Sequence, residues 1–128
     1  MFKRIDHTEI VPANYEETMK FYTEVLGFTE KMRKQMDNPP MREIAYLQLG
    51  DTVLEIIAVT NPTPLSGESW HVGFKSIALE VESMDKAVEY LKTKGVEMTV
   101  GPVNLGTSMR GEFKDNNGLS IELREWFK

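Results

Sequence analysis

The stretch IDHTEIVPANYEETMKFYTEVLGF, residues 5–28, decides the fold. Ile5 to Val11 reads as a strand, closed by Pro12, which has no backbone donor to continue a ladder. Asn14 stands where a helix N-cap belongs, with Glu17 three places on in the manner of a capping box. Tyr15, Met19, Tyr22 and Leu26, joined by Thr18, Phe21 and Val25, recur at helical spacing and form one apolar stripe. Gly27 supplies the left-handed stop. The unit is a strand followed by a helix.

Outward from this unit the pattern turns to strands. Phe28 to Lys34 and Glu43 to Leu49 read as strands on either side of Asp37-Asn38-Pro39-Pro40, which has the composition of a loop. Gly50-Asp51 marks a turn before the β-branched run Thr52 to Val59. The order is therefore β-α-β-β-β. Residues 60–73 carry Pro62, Pro64 and Gly67 without periodicity and read as a linker. The same order then restarts: a strand from Lys75 to Val81, a helix capped by Ser83 with the stripe Met84, Ala87, Val88 and Leu91, a stop at Gly95, and strands over 96–103, 109–114 and 119–125. Asn116-Asn117-Gly118 is a strong hairpin signal. Laying one half on the other brings both helix-ending glycines into register and sets Glu55 upon Glu122. An α+β chain of two βαβββ modules is expected: residues 1–59, a linker over 60–73, and residues 74–128, together one domain.

Composition narrows the function classes. With 128 residues, 41% hydrophobic and 27% charged, the chain is of ordinary globular make-up. A net charge of −5 argues against nucleic acid and anionic lipid as partners, and no apolar run is long enough for a membrane span. The charged start is not that of a signal peptide. Zero cysteines exclude thiolate metal sites and cysteine nucleophiles, and fit a cytoplasmic protein.

Alternation along strands sorts the side chains by face. Leu54, Ile56 and Ala58 oppose Val53, Glu55 and Ile57, while Leu119, Ile121 and Leu123 oppose Ser120, Glu122 and Arg124. The faces away from the helices carry His7, Glu9, Glu55, Ser76, Glu80, Glu122 and Arg124. Such a set is ordinary on a solvated sheet face; on a curled sheet the groups converge and need partners or a metal.

The opening stretch resembles the vicinal-oxygen-chelate superfamily, which includes glyoxalase I and the bleomycin-resistance proteins: a strand-borne histidine precedes a helix ending F-Y-x-x-x-L-G-F. FKDNNGLSIEL, residues 113–123, resembles that superfamily's closing motif, and SIALEVESMDKAVEYLKTKGV, residues 76–96, its second-module start. The resemblance covers about Ile5 to Leu123. It implies curled mixed sheets forming a U-shaped cup with helices outside, and four ligands to one divalent ion, typically His, Glu, His and Glu. Carried over, His7, Glu55 and Glu122 take three of these places, and Ser76 stands where the second histidine belongs. Three outcomes stay open: an ion (Ni, Co, Mn, Mg or Zn) held by His7, Glu55, Glu122 and water; a substitute ligand such as Glu80, Glu9 or His71; or a metal-free protein that binds a drug or metabolite. Glu55 and Glu122 pairing with Arg124 or Arg110 is the plain structural alternative.

The chemistry implied is proton abstraction next to a metal-chelated carbonyl, with Glu122 as general base, in a lyase such as lactoylglutathione lyase, an isomerase or an epimerase. The alternative is a metal-free binding protein of the bleomycin-resistance type. A dioxygenase fits less well, because His-Glu-Glu departs from the two-histidine, one-carboxylate site of Fe(II) chemistry. The partner expected is a small molecule, and a glutathione adduct would need Arg33, Arg42 or Arg110 for its carboxylates. The resemblance further implies a homodimer.

Overall fold

A computed structural model describes residues 1–128. The chain divides into two compact units, Met1–Leu65 and Ser66–Lys128. Each holds one four-stranded mixed sheet and one helix, in an α+β fold whose sheets do not close.

In the first unit β1 (Thr8–Ile10) leads to α1 (Tyr15–Lys20), then β2 (Thr29–Asn38), β3 (Met41–Leu49) and β4 (Thr52–Val59). The sheet order is β1-β4-β3-β2, with β1 parallel to β4 and the other pairs antiparallel. Asn14 caps α1 through its side-chain oxygen, which accepts from the Glu17 backbone N–H at 3.0 Å. Residues Phe21–Val25 extend α1 as a π-helical stretch, which the apolar spacing did not foretell. There the Leu26 N–H reaches the Phe21 carbonyl at 3.2 Å, and Thr23 Oγ1 donates back to the Met19 carbonyl at 2.8 Å. Tyr22 is wholly buried beside Phe28, the ring centres 5.6 Å apart. Met19, Leu47, Leu54 and Ile56 complete this core, so α1 covers the even-numbered face of β4 and leaves Glu55 on the other.

The second unit repeats the order: β5 (Ile77–Glu80), α2 (Met84–Thr93), β6 (Val100–Asn104), β7 (Ser108–Lys114) and β8 (Ser120–Trp126), arranged β5-β8-β7-β6 with β5 parallel to β8. Ser83 caps α2, accepting from the Lys86 N–H at 3.2 Å. Both helices end before a glycine of positive φ, Gly27 at 82° and Gly95 at 77°, a conformation that costs glycine least. Met84, Leu91, Phe113, Ile121 and Leu123 form the core. In the closing hairpin Asp115 is buried, and its Oδ1 accepts from the Asn117 and Leu119 N–H groups at 2.8 and 2.9 Å. The aspartate of the closing motif therefore builds a turn.

The repeat is visible in the pairing register. β1 sets Thr8 beside Leu54 and Glu9 beside Glu55; β5 sets Ile77 beside Ile121 and Ala78 beside Glu122. His7 and Ser76 each stand one residue before their strand, so the two modules match position for position.

Some boundaries differ from those read in the sequence. The first strand is three residues rather than Ile5 to Val11, because pairing with β4 covers only Thr8 to Ile10 and Ile5 is left 82% exposed. The fifth begins at Ile77 rather than Lys75, where its pairing with β8 starts. Asp37 and Asn38 belong to β2, because the hairpin turns on Pro39-Pro40 alone and Asn38 pairs with Met41. Residues 61–76 hold no helix or strand. No helix is long and apolar enough to cross a membrane.

Candidate metal centre

The strand β1 and its parallel neighbour β4 bring three donors together. His7 Nε2 lies 3.0 Å from Glu9 Oε2 and 3.2 Å from Glu55 Oε1. Alternation explains the grouping: His7 and Glu9 are two residues apart and share a face, and Glu9 stands beside Glu55 across the ladder. Glu55 is buried, Glu9 exposed and His7 between the two. On the other side of the ring, Nδ1 lies 2.9 Å from Asp6 Oδ2. That bond, followed by the one to Glu9, raises the imidazole's proton affinity above its ordinary value, and the charge of Glu55 adds to it. The ring in turn lowers the Asp6 carboxyl's.

The donor atoms of His7, Glu9 and Glu55 all lie within 4.8 Å of one another. Ligands bound at about 2.0–2.3 Å stand at most roughly 4.6 Å apart around one ion, so small side-chain adjustments suffice. An imidazole nitrogen with two carboxylates suits Mn, Co or Ni at least as well as Zn. Asp6 is placed as the outer carboxylate that fixes the orientation of a ligand histidine. These residues fit a divalent ion.

Glu122 has different company. Its Oε1 accepts from Arg110 Nε at 2.9 Å and its Oε2 from Arg124 Nη2 at 2.9 Å. Arg110 also meets Glu112 at 2.7 Å, which raises its guanidinium's proton affinity, and Arg124 packs over the Trp126 ring at 4.9 Å. Arg110 and Arg124 stand directly opposite each other on β7 and β8, like charges held by the carboxylate between them.

The other expected residues are spread out. Ser76 and Glu80 are exposed on the β5 side, and His71 is exposed in the segment before it, its Nδ1 3.3 Å from the Glu68 carbonyl oxygen. Of the arginines considered for a glutathione adduct, Arg33 bonds Glu16 and Glu30 at 2.9 Å and Arg110 is engaged as above, while Arg42 is exposed. Arg42 borders a hollow with Asn14, Tyr15, Gln35 and Glu43 at the start of α1, on the helix-covered side of the sheet. That hollow is away from His7. Asp6, Glu112 and Trp126 were missed in the sequence, although Glu112 follows Arg110 by two and so shares its face.

The paired βαβββ topology and a histidine–glutamate group on the first module define a class, and sequence comparison agrees with it. The chain belongs to the Glyoxalase/Bleomycin resistance protein/Dioxygenase superfamily, which it matches over residues 4–123. It is 29% identical to a lactoylglutathione lyase of Escherichia coli O157:H7, over 95% of this chain and 92% of that one. It is 28% identical to the uncharacterized protein YwkD of Bacillus subtilis, over 98% of each. The crystal structure of a glyoxalase family protein from Enterococcus faecalis superposes with a TM-score of 0.83 at 28% identity, over 97% of this chain and 98% of that one.

Proposed function

We propose that this protein is a metal-dependent lyase or isomerase of the glyoxalase I type, moving a proton at the carbon next to a carbonyl of a small molecule. The observation that carries this reading is the His7–Glu9–Glu55 group, with Asp6 behind the imidazole. His7 and Glu55 would hold the ion. When bound, a divalent ion supplies Lewis acidity, which lowers the cost of removing a proton next to a carbonyl.

Glu122 enters as general base and further ligand through its equivalence to Glu55 in the repeat, not through geometry. Each of its oxygens accepts one guanidinium N–H and keeps a second lone pair on which a proton can be taken up. The guanidiniums that hold it carry further N–H donors suited to an anionic oxygen of the substrate. We further propose a homodimer in the cytoplasm. Phe2, Ile5, Trp70, Val72 and Phe74 are large apolar side chains standing at least four-fifths exposed, as residues of an interface do in a single chain. Sedimentation as a single 128-residue chain at micromolar concentration overturns the dimer.

The test of the activity is turnover of the hemithioacetal of glutathione and methylglyoxal by chelator-stripped protein, with and without added Ni, Co, Mn, Mg or Zn. Metal-restored activity is expected for at least one ion. No turnover of this or related 2-oxo substrates with any ion favours the second reading, a small-molecule binding protein. One observation supports that reading: Arg124 Nε is buried without an acceptor, a donor that a bound oxygen would satisfy.

A further inference from the structure

We propose that Arg124 anchors a carboxylate of the substrate, and that the small molecule is a 2-oxo acid whose carboxylate lies a few bonds from the carbon that loses its proton. This rests on the reading above, in which Glu122 meets the substrate, and it names the substrate class.

The first reason is how the two guanidiniums are filled. In an arginine the Nε–H and one Nη–H bond point along a common edge, the pair that a bidentate acceptor spans. On Arg110 that edge is full: Nε donates to Glu122 Oε1 at 2.9 Å, and Nη2 meets Glu112 Oε2 at 2.7 Å. On Arg124 it is half full: Nη2 donates to Glu122 Oε2 at 2.9 Å, and Nε is buried without an acceptor. The Arg124 Nη1 has the Ser108 hydroxyl, at 3.4 Å. Buried donors in folded proteins are paired almost without exception, so Nε points to an oxygen that arrives from outside.

Charge supplies the second reason. Arg110 is held by two carboxylates, whereas Arg124 has only its share of Glu122. Glu80 stands beside Arg124 across the β5–β8 ladder, but it is exposed, and the ion pair of Arg124 is with Glu122 alone. The least compensated positive charge of this face therefore lies at Arg124, which favours an anionic acceptor over a neutral one.

Place is the third. Trp126, 55% exposed, lies over the guanidinium with its ring centre 4.9 Å from Cζ, which fixes the plane of the group and leaves its edge as the side for a ligand. Being exposed, the ring can swing aside to admit an oxygen to Nε. That oxygen is then next to the Glu122 oxygen on Nη2, so the carboxylate it belongs to sits beside the base. The fold requires none of this: in the first module Ile57 and Val59 take the places of Arg124 and Trp126.

The experiment uses the full-length, chelator-stripped protein without added metal, so that no ion holds the probe. Binding of 2-oxobutyrate and of its uncharged amide, 2-oxobutanamide, is read by saturation-transfer NMR for the unaltered chain, Arg124→Lys and Arg110→Lys. Saturable binding of 2-oxobutyrate is expected, with the amide roughly tenfold weaker or more. Arg124→Lys keeps the charge but loses Nε, and should weaken the acid roughly tenfold or more, with Arg110→Lys staying within about threefold. Both variants disturb Glu122 alike, so equal losses would mean that the effect runs through the glutamate and that the anchor is wrong. The proposal is also overturned by an Arg124→Lys affinity within about threefold of the unaltered chain's, by equal binding of the amide, or by no binding of the acid. The acid–amide comparison needs no variant, so it decides even where a substitution unfolds the chain. If 2-oxobutyrate binds through Arg124 and no ion restores turnover in the assay above, the anchor stands and the proton-transfer reading fails.

Discussion

Glu55 and Glu122 occupy the same position in the two modules, on the equivalent strands β4 and β8, in the same register and facing away from the helix, yet they keep opposite company. Glu55 is flanked by Ile44 and Ile57 and approached by an imidazole and a second carboxylate. Glu122 is flanked by Arg110 and Arg124, and Ser76 stands in its own module where His7 does in the first. The backbone repeat thus fixes where a carboxylate points and leaves its chemistry to a handful of neighbours. One module presents donors short of a cation; the other presents a carboxylate already supplied with two.

The largest effect expected from this contrast follows removal of the first-module donors. Glu55→Ala should abolish measurable Mn(II) binding, and Asp6→Asn should weaken it roughly 10–100-fold by loosening the His7 ring, without touching the ion itself. Equal affinities for Asp6→Asn and the unaltered chain in the same titration would break the claim that Asp6 positions the imidazole.

Stability should show the contrast reversed. Glu122→Ala leaves Arg110 with Glu112 alone and Arg124 with no carboxylate, at 28% and 22% exposure, and should destabilise the protein by about 1.5–3 kcal/mol. Glu55→Ala leaves His7 with Asp6 and Glu9, and should cost under about 1.5 kcal/mol. Urea unfolding of the two variants measures the difference, and a larger loss for Glu55→Ala contradicts it. A third substitution sharpens the point. Ser76→His places an imidazole at the second-module position that His7 holds in the first; it should tighten Mn(II) binding if Glu122 is available to the ion, and leave it within about threefold if the arginines hold the carboxylate.

Much of this was legible in the sequence because periodicity and turn chemistry are local. The strand–helix–glycine order, the caps at Asn14 and Ser83, and the superposition of Glu55 on Glu122 all follow from spacing. What was not legible depends on contacts between distant segments. The ends of β1 and β5 are set by how far β4 and β8 run beside them, so Ile5 and Lys75 read as strand although they have no partner. The π-helical stretch at Phe21–Val25 carries Tyr22 against Phe28, a contact that no apolar stripe encodes. The site was half legible. Alternation put His7, Glu9 and Glu55 on one face and left Glu122 to pair with Arg124 or Arg110; that it meets both needed the β7–β8 register, which joins Arg110 to a residue twelve places on in sequence.

The smallest expected effect concerns the two helix starts, which match in geometry but differ in support. Asn14 Oδ1 accepts from the Glu17 N–H at 3.0 Å, and Ser83 Oγ accepts from the Lys86 N–H at 3.2 Å. α2 has a second acceptor: Glu125 Oε1, carried by β8, takes the Met84 N–H at 2.6 Å and adds a negative charge at the positive end of the helix. Asn14→Ala should therefore cost about 1 kcal/mol, the usual loss for a cap, and Ser83→Ala roughly half as much. The two caps should part further when Glu125→Gln is added. That change removes the charge that shields the start of α2, so Ser83→Ala should become as costly as Asn14→Ala, whereas Asn14→Ala should be unaffected, since Glu125 lies in the other module. A double-mutant cycle by urea unfolding reads this directly. Additive losses for Ser83 and Glu125 would show that the two acceptors act on α2 independently.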